Sequence, residues 1–258
     1  MNIFTQFAKS IYSPKDIALF RFQGIGKTIL YVFLLTLISV IPASYYTTLA
    51  INEAVNTARE TLEAKLPYFS IEKGVLKSEI KEPLTIDNGS FTIIFDSTGA
   101  VEQEDMAGME STLAMLKNEA VLAAGGETNS FRYSLINDGT ISKQDIISML
   151  SSASSSLPIF IGLIILAIYV FSSGMKFIEI SILSVFGLLL KNLAGKNLQY
   201  KHLWRMAAYS ITLPTLFFTI MSLLKTTVPY SFMINWFVGS MMLLLAIKEV
   251  ATPKKNLD

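Results

Sequence analysis

Cysteine is absent from the 258 residues, and histidine occurs once, at His202. Without thiols there is no disulfide framework and no thiolate zinc site. A single histidine also excludes the His-Glu-x-x-His helix of a metalloprotease. Charge is scarce as well. Asp, Glu, Lys and Arg make up 16% of the chain, against about a quarter in an ordinary soluble domain. Twenty-one basic residues nearly balance twenty acidic ones, so no overall attraction to nucleic acid follows.

Hydrophobic residues, by contrast, reach 52%. They are gathered into runs at 28–50, 157–190, 206–224 and 231–247. Runs of about twenty apolar residues are long enough to cross a hydrocarbon core of about 30 Å. The predicted class is an α-helical integral membrane protein. The first run reads as a retained anchor, because some 27 residues precede it and Ala43-Ser44-Tyr45 is not a small-x-small cleavage site.

The charges are sorted along the chain. Segment 52–156 holds sixteen acids and eight basic residues. Elsewhere Lys and Arg cluster beside the apolar runs: Lys9, Lys15, Arg21 and Lys27; then Lys191, Lys196, Lys201 and Arg205; then Lys248, Lys254 and Lys255. Basic residues in short flanking loops stay on the cytoplasmic side. All three clusters face inward if four spans are counted. Residues 1–27 are then a cytoplasmic and interfacial amphipathic segment, 28–50 is span one, and 51–156 an inserted extracytoplasmic α+β domain. Residues 157–190 form a long second span and 191–205 a basic cytoplasmic loop. Spans three (206–224) and four (231–247) follow, and 248–258 is a cytoplasmic tail. The N- and C-termini are both cytoplasmic, in the cell membrane. Residues 157–190 are overlong for one crossing, reaching about 51 Å at 1.5 Å per residue. Splitting them at Ser172-Ser173-Gly174 gives a five-span alternative, which places two basic clusters outside.

Shorter signals fill in the pieces. Phe4, Phe7, Ala8, Ile11 and Tyr12 share one helical face, which suits either docking on a membrane surface or packing against the spans. Ser13-Pro14 reads as a cap and first-turn proline. Gly24-Ile-Gly26-Lys27-Thr28 resembles the end of a phosphate-binding loop but has Arg21 where that loop needs glycine; the glycines are expected to make the bend into span one. Ile51, Val55, Ala58, Leu62 and Leu66 continue span one as an amphipathic helix up to Pro67. Alternation over 68–80 and 84–96, with turns at Lys73-Gly74 and Asn88-Gly89, predicts hairpins, and Ser90–Phe95 is the clearest strand. Residues 103–117 read as a helix. Strands are expected at 119–124 and 129–136, around Gly125-Gly126, followed by a turn at Asp138-Gly139. Ser142 with Asp145 reads as a capping box.

Few residues suggest chemistry. Asp96, Glu102, Glu104 and Asp105 form either a divalent-cation site or a solvated acidic face. Ser172 or Ser173 with Lys176 mimics a Ser-Lys pair, although small residues in spans usually serve close packing. Lys176 and Glu179 stand out, because ionisable groups inside a span are costly unless paired. They are read as an intramembrane polar pair, or alternatively as an interface marker with Lys176 snorkelling. Tyr200, Trp204, Arg205 and Tyr209 form an aromatic-basic set of interfacial anchors. Pro214 is expected to kink span three. No catalytic, cofactor or metal residues are assigned.

The stretches Phe7–Lys15, Arg21–Tyr31, Phe91–Gly99 and Tyr200–Pro214 together resemble a family of uncharacterised membrane proteins from Gram-positive bacteria, some labelled maltodextrin utilisation. The stretch Leu193–Asn197 through Ala208–Pro214 also resembles a pattern in the Yip membrane superfamily. The first resemblance implies no mechanism; the second implies a helical bundle acting in membrane organisation or as a partner of other membrane proteins. The expected function is a non-enzymatic membrane module that presents the acidic domain and docks a membrane-protein partner or a second copy. The alternative is a small-solute or lipid transporter, or its accessory subunit, using Lys176 and Glu179. The expected surroundings are the lipid bilayer, without nucleic acid.

Overall fold

The structure, a computed structural model, describes residues 1–87, 91–109, 111–135 and 139–251. It divides into two compact units. One comprises Met1–Leu49 with the residues from Ile161 onward, and the other comprises Ala50–Phe160.

The first unit is helical. It contains α1 (Ile3–Tyr12), α2 (Pro14–Phe20), most of α3 (Ile25–Glu60) and the later part of α4 (Lys143–Leu193). Helices α5 (Tyr200–Ser210), α6 (Thr212–Leu223) and α7 (Ser231–Lys248) complete it. Ser13 caps α2 by accepting from the Asp16 amide at 3.3 Å, with Pro14 at the first helical position. The bend into α3 lies over residues 21–24, and Gly26 already sits inside the first turn of α3. Only Gly24 of the two glycines therefore belongs to the bend.

Pro214 interrupts the third apolar run where its ring chemistry requires. A proline cannot donate to the carbonyl four residues earlier and crowds it, and that residue is Ser210, the last of α5. Ile211 forms the break. The Thr212 hydroxyl donates to the Tyr209 carbonyl at 2.7 Å, satisfying a group near the interruption.

The core of this unit is built on aromatic and small-residue contacts. The Tyr209 ring lies 4.6 Å from Phe20 and 4.3 Å from Tyr31, centroid to centroid. At Gly187 of α4 a Cβ would meet Leu243 and Leu203 side chains at 3.2 and 3.4 Å, so glycine sets the approach of α4 to α5 and α7. The inward side of α1 is mixed, with Ile3 and Phe7 packed against the core. Gln6 and Ser10 are fully buried, while Phe4 and Tyr12 are 67% and 70% exposed.

Four helical segments among the described residues are long and apolar enough to cross a membrane: Ile25–Lys65, Lys143–Leu193, Tyr200–Leu223 and Ser231–Lys248. The α4 helix runs unbroken for 51 residues. It passes through Ser172-Ser173-Gly174 without the reversal that a split into two short spans demands.

The second unit is an α+β domain with two sheets. Strands β1 (Phe69–Glu72), β2 (Val75–Ser78) and β8 (Thr140–Ser142) form one antiparallel sheet in the order β2-β1-β8. Lys73 and Gly74 take φ of 50° and 80° between β1 and β2, the primed turn that matches strand twist. The other sheet has the order β3-β4-β5-β6-β7. Its strands are β3 (Leu84–Asp87), β4 (Thr92–Phe95), β5 (Thr112–Met115), β6 (Glu119–Ala124) and β7 (Glu127–Arg132). Within it β4 and β5 run parallel, and the other neighbours are antiparallel. Asn88-Gly89, Ser90, Ile136 and Asp138 lie outside the described residues, so neither the turns expected there nor the first residue of the expected 90–95 strand is described.

The helix expected over 103–117 is not there. A short 3-10 turn covers Gln103–Met106, and Thr112–Met115 is a strand. Gly108 and Ser111 have φ of 82° and 50°, which stops a right-handed helix. Parallel pairing with β4 then claims 112–115. Ser142 and Asp145 do form the expected capping box. The Asp145 amide donates to Ser142 Oγ at 3.2 Å, and the Ser142 amide to Asp145 Oδ2 at 2.8 Å.

Candidate functional site: a polar cluster in the helical unit

Lys176 and Glu179 are three residues apart on α4, so their side chains leave the same helical face. Lys176 Nζ donates to Glu179 Oε2 at 2.8 Å, and the two side chains are only 16% and 17% exposed. Two further helices complete the cluster. Lys176 Nζ also donates to Thr215 Oγ1 of α6 at 3.0 Å. The Asn235 amide of α7 donates to Glu179 Oε1 at 2.7 Å. Each charge therefore has its ionic partner and a neutral hydrogen-bonding partner from another helix.

The depth of the cluster within its helices is informative. Thr215 lies ten residues beyond Arg205 and nine before Leu224, about 15 and 14 Å at 1.5 Å per residue. Lys176 thus meets the α5–α6 run about midway between Arg205 and the loop at 225–230, at the first turn of α6. A snorkelling lysine would instead sit near an end of that run.

A cavity of about 160 Å³ opens beside Lys176, bordered by Ser39, Thr215, Thr219, Ser222 and Asn235. Ligand sites usually enclose about 300–1,000 Å³, so this space suits a water or an ion better than an organic solute.

Ser173 is 96% buried, the complement of its 4% exposure, and its hydroxyl has no hydrogen-bond partner among the described residues. The Lys176 ammonium is directed to Glu179 and Thr215, so no Ser-Lys pair is assembled. The four aromatic-basic residues are dispersed. Tyr200 is 43% exposed, whereas Tyr209 is fully enclosed in the core between Phe20 and Tyr31. Trp204 donates to Ser181 Oγ at 3.2 Å and stacks on Phe177, and Arg205 donates to the Arg21 carbonyl at 2.9 Å. Three of the four thus contact the protein's own helices, and Tyr209 is a core residue rather than an anchor at a lipid surface.

Asp96, Glu102 and Asp105 of the acidic group in the sheet domain are engaged in local turns. Among the described residues no cluster of three or more suitable ligands occurs. Asp96 is buried and committed to its own turn, accepting from the Thr98 amide, the Thr98 hydroxyl and the Val101 amide at 2.8, 2.6 and 2.8 Å. Burial pushes its carboxyl up, but hydrogen bonds from Thr98, Val101 and Gly99 together outweigh this and hold it below its ordinary value. Glu102 and Asp105 cap the 3-10 turn reciprocally.

Sequence reading missed Thr215, Asn235 and Ser39. Asn235 carried a signal, as a lone amide inside the last apolar run. Thr215 and Ser39 carried none, since hydroxyls in spans commonly bond to their own helix.

Four apolar helices, an internal ion pair and a separate sheet domain define a class compatible with a multi-pass membrane protein carrying an inserted domain. The chain matches, over residues 4–247, the family described as protein of unknown function (DUF1189), and it belongs to that family. No curated protein and no solved structure matches it.

Proposed function

We propose that this protein is a non-enzymatic module of the cell membrane that presents its acidic α+β domain outside and docks a membrane-protein partner, or a second copy of itself, along α4. The observation that carries this reading is the internal satisfaction of Lys176 and Glu179 by Thr215 and Asn235. A pair so consumed fastens α4 to α6 and α7. The outer surface of α4 then remains for other molecules, with Val170, Phe171 and Met175 exposed by 62%, 73% and 51%. Both termini are cytoplasmic in this reading, as the basic clusters require. The domain boundaries follow, with 51–156 outside and α4 crossing once and extending beyond the bilayer.

Photo-crosslinking in cells tests the docking. A photoreactive residue replacing Phe171 should give protein adducts, while one replacing the buried Ile180 should not. Adducts to lipid alone at Phe171 would remove the partner.

A second reading is a transporter of small solutes or lipids, or an accessory subunit of one. The resemblance to Gram-positive proteins labelled for maltodextrin utilisation belongs with this reading, while the likeness to the Yip superfamily belongs with the first. The cavity beside Lys176 favours it, but its volume of about 160 Å³ suits only the passage of a small ion. Flux of such an ion into proteoliposomes, abolished by Lys176→Met with Glu179→Leu while the fold persists, would support it over the first.

A further inference from the structure

The second unit contains a much larger cavity, of about 700 Å³. Its origin is legible in α3. Ala50, Ala54 and Ala58 recur every fourth residue and line it, so one helical face carries methyl groups where a core would carry leucines. The facing wall comes from the five-stranded sheet, with Ile93, Leu113 and Met115. Glu53 and Thr57 are the polar lining residues contributed by α3.

This is not a finished core. The space is an open cleft, with Ala50, Glu53, Ala54 and Phe131 exposed at its edge. Tyr133 also lines the space, is only 3% exposed, and has a hydroxyl without a hydrogen-bond partner among the described residues. Such an orphan is costly unless something supplies a partner.

We infer that this cavity binds the aliphatic chain of a lipid whose headgroup is uncharged. The volume lies within the range of small-molecule sites, about 300–1,000 Å³. A helical peptide fits poorly, because a helix about 10 Å across would fill 700 Å³ with only about 9 Å of its length. Glu53 at the lining, in a domain rich in acids, disfavours a carboxylate or phosphate head. A hydroxylated head could instead hydrogen-bond to Glu53 and Thr57, and Tyr133 supplies one more polar group. The inference does not depend on how the spans are used, since every lining residue belongs to the second unit.

The test uses the full chain in lipid nanodiscs with a photoreactive monoacylglycerol. Mass spectrometry should find label on the β4–β5 peptides around Ile93, Leu113 and Met115. Unlabelled monooleoylglycerol should displace it, with oleate at least tenfold weaker. Ala54→Leu with Ala58→Leu should cut that label at least tenfold while label on α4 around Phe171 persists. Ala120→Leu fills the cavity from the sheet side and should act in the same way, so a folding defect in one variant does not decide the result. Label confined to the apolar helices, or β4–β5 label that survives filling and competition, overturns the inference. Equal competition by oleate overturns the uncharged headgroup.

Discussion

Asn235 donates its side-chain amide to the Glu179 carboxylate at 2.7 Å across 56 positions of sequence. That bond joins α7 to a carboxylate already holding Lys176, so the charges and the packing of three helices are one arrangement. Removing one charge leaves the other buried without its counter-ion, which costs about 3–5 kcal/mol. Lys176→Met alone should therefore lower the unfolding temperature of the purified protein in mild detergent by many degrees. Adding Glu179→Leu should restore most of the loss, because a matched apolar pair is tolerated where a half-pair is not. Equal destabilisation by the single and double variants would show that the pair is not the fastening.

The pair itself was legible because two ionisable residues stand inside an apolar run. Its partners were not. Thr215 and Asn235 reach it from 39 and 56 positions away, and only the packed bundle brings them in. The same limit governed the sheet domain. Hairpin alternation and the Lys73-Gly74 turn located β1 and β2, since both signals are local. Residues 103–117 looked helical because apolar side chains recur there at suitable intervals, but positive φ at Gly108 and Ser111 and parallel pairing with β4 decide otherwise. The cavity was hidden for a related reason. Ala50, Ala54 and Ala58 are ordinary helix formers until a sheet stands opposite them.

Asp96 makes the stability of the sheet domain depend on pH. Its folded-state carboxyl is held below the ordinary value of 3.8. A group depressed on folding stabilises fully above its unfolded value, and that contribution disappears as pH falls through the folded value. Protection factors of the β4–β5 amides, referred to the intrinsic exchange rate at each pH, should fall below about pH 4, near the ordinary value of this carboxyl. Asp96→Asn should flatten that acid limb while costing about 1–3 kcal/mol at neutral pH, since a charged acceptor of backbone amides is lost. An unchanged acid limb in the variant would assign it to other carboxylates.

Gly74 should tolerate no side chain. Its φ is +80°, and a Cβ would stand 3.1 Å from the backbone of Ser134. A left-handed conformation costs an L-residue about 1–2 kcal/mol before any clash. Gly74→Ala should raise exchange across β1 and β2 by at least tenfold, with the exchange of α5 and α7 unchanged. Equal exchange in both proteins would mean that the turn relaxes at no cost.

The exposed apolar residues of α1 make a prediction about its surroundings. Gln6 and Ser10 face the protein beside Ile3 and Phe7, while Phe4 and Tyr12 face away, so α1 is apolar on its outer side as well, unlike a surface helix on a soluble bundle. A helix of that kind suits the interface of a bilayer. Because the chain has no cysteine, spin labels can be placed singly without background. Labels at Phe4→Cys and Tyr12→Cys in liposomes should be more accessible to oxygen than to a nickel chelate, and a label at Lys15→Cys the reverse. Chelate-dominated access at all three positions would put α1 in water.

The topology turns on which side of the membrane the α4–α5 connection occupies, and the structure selects the residue to ask. Leu198 would be a poor reporter, being 3% exposed with its carbonyl accepting from Lys191 Nζ at 2.7 Å. Asn197 next to it is exposed. With α4 unbroken through Ser172-Ser173-Gly174, residues 191–205 and the loop at 225–230 should lie on opposite sides, because one α5–α6 crossing separates them. Asn197→Cys should react with an impermeant maleimide only after cells are opened, and Thr227→Cys should react in intact cells. Reaction of Asn197→Cys in intact cells would place the basic loop outside, against its four cations, and would overturn the four-span arrangement.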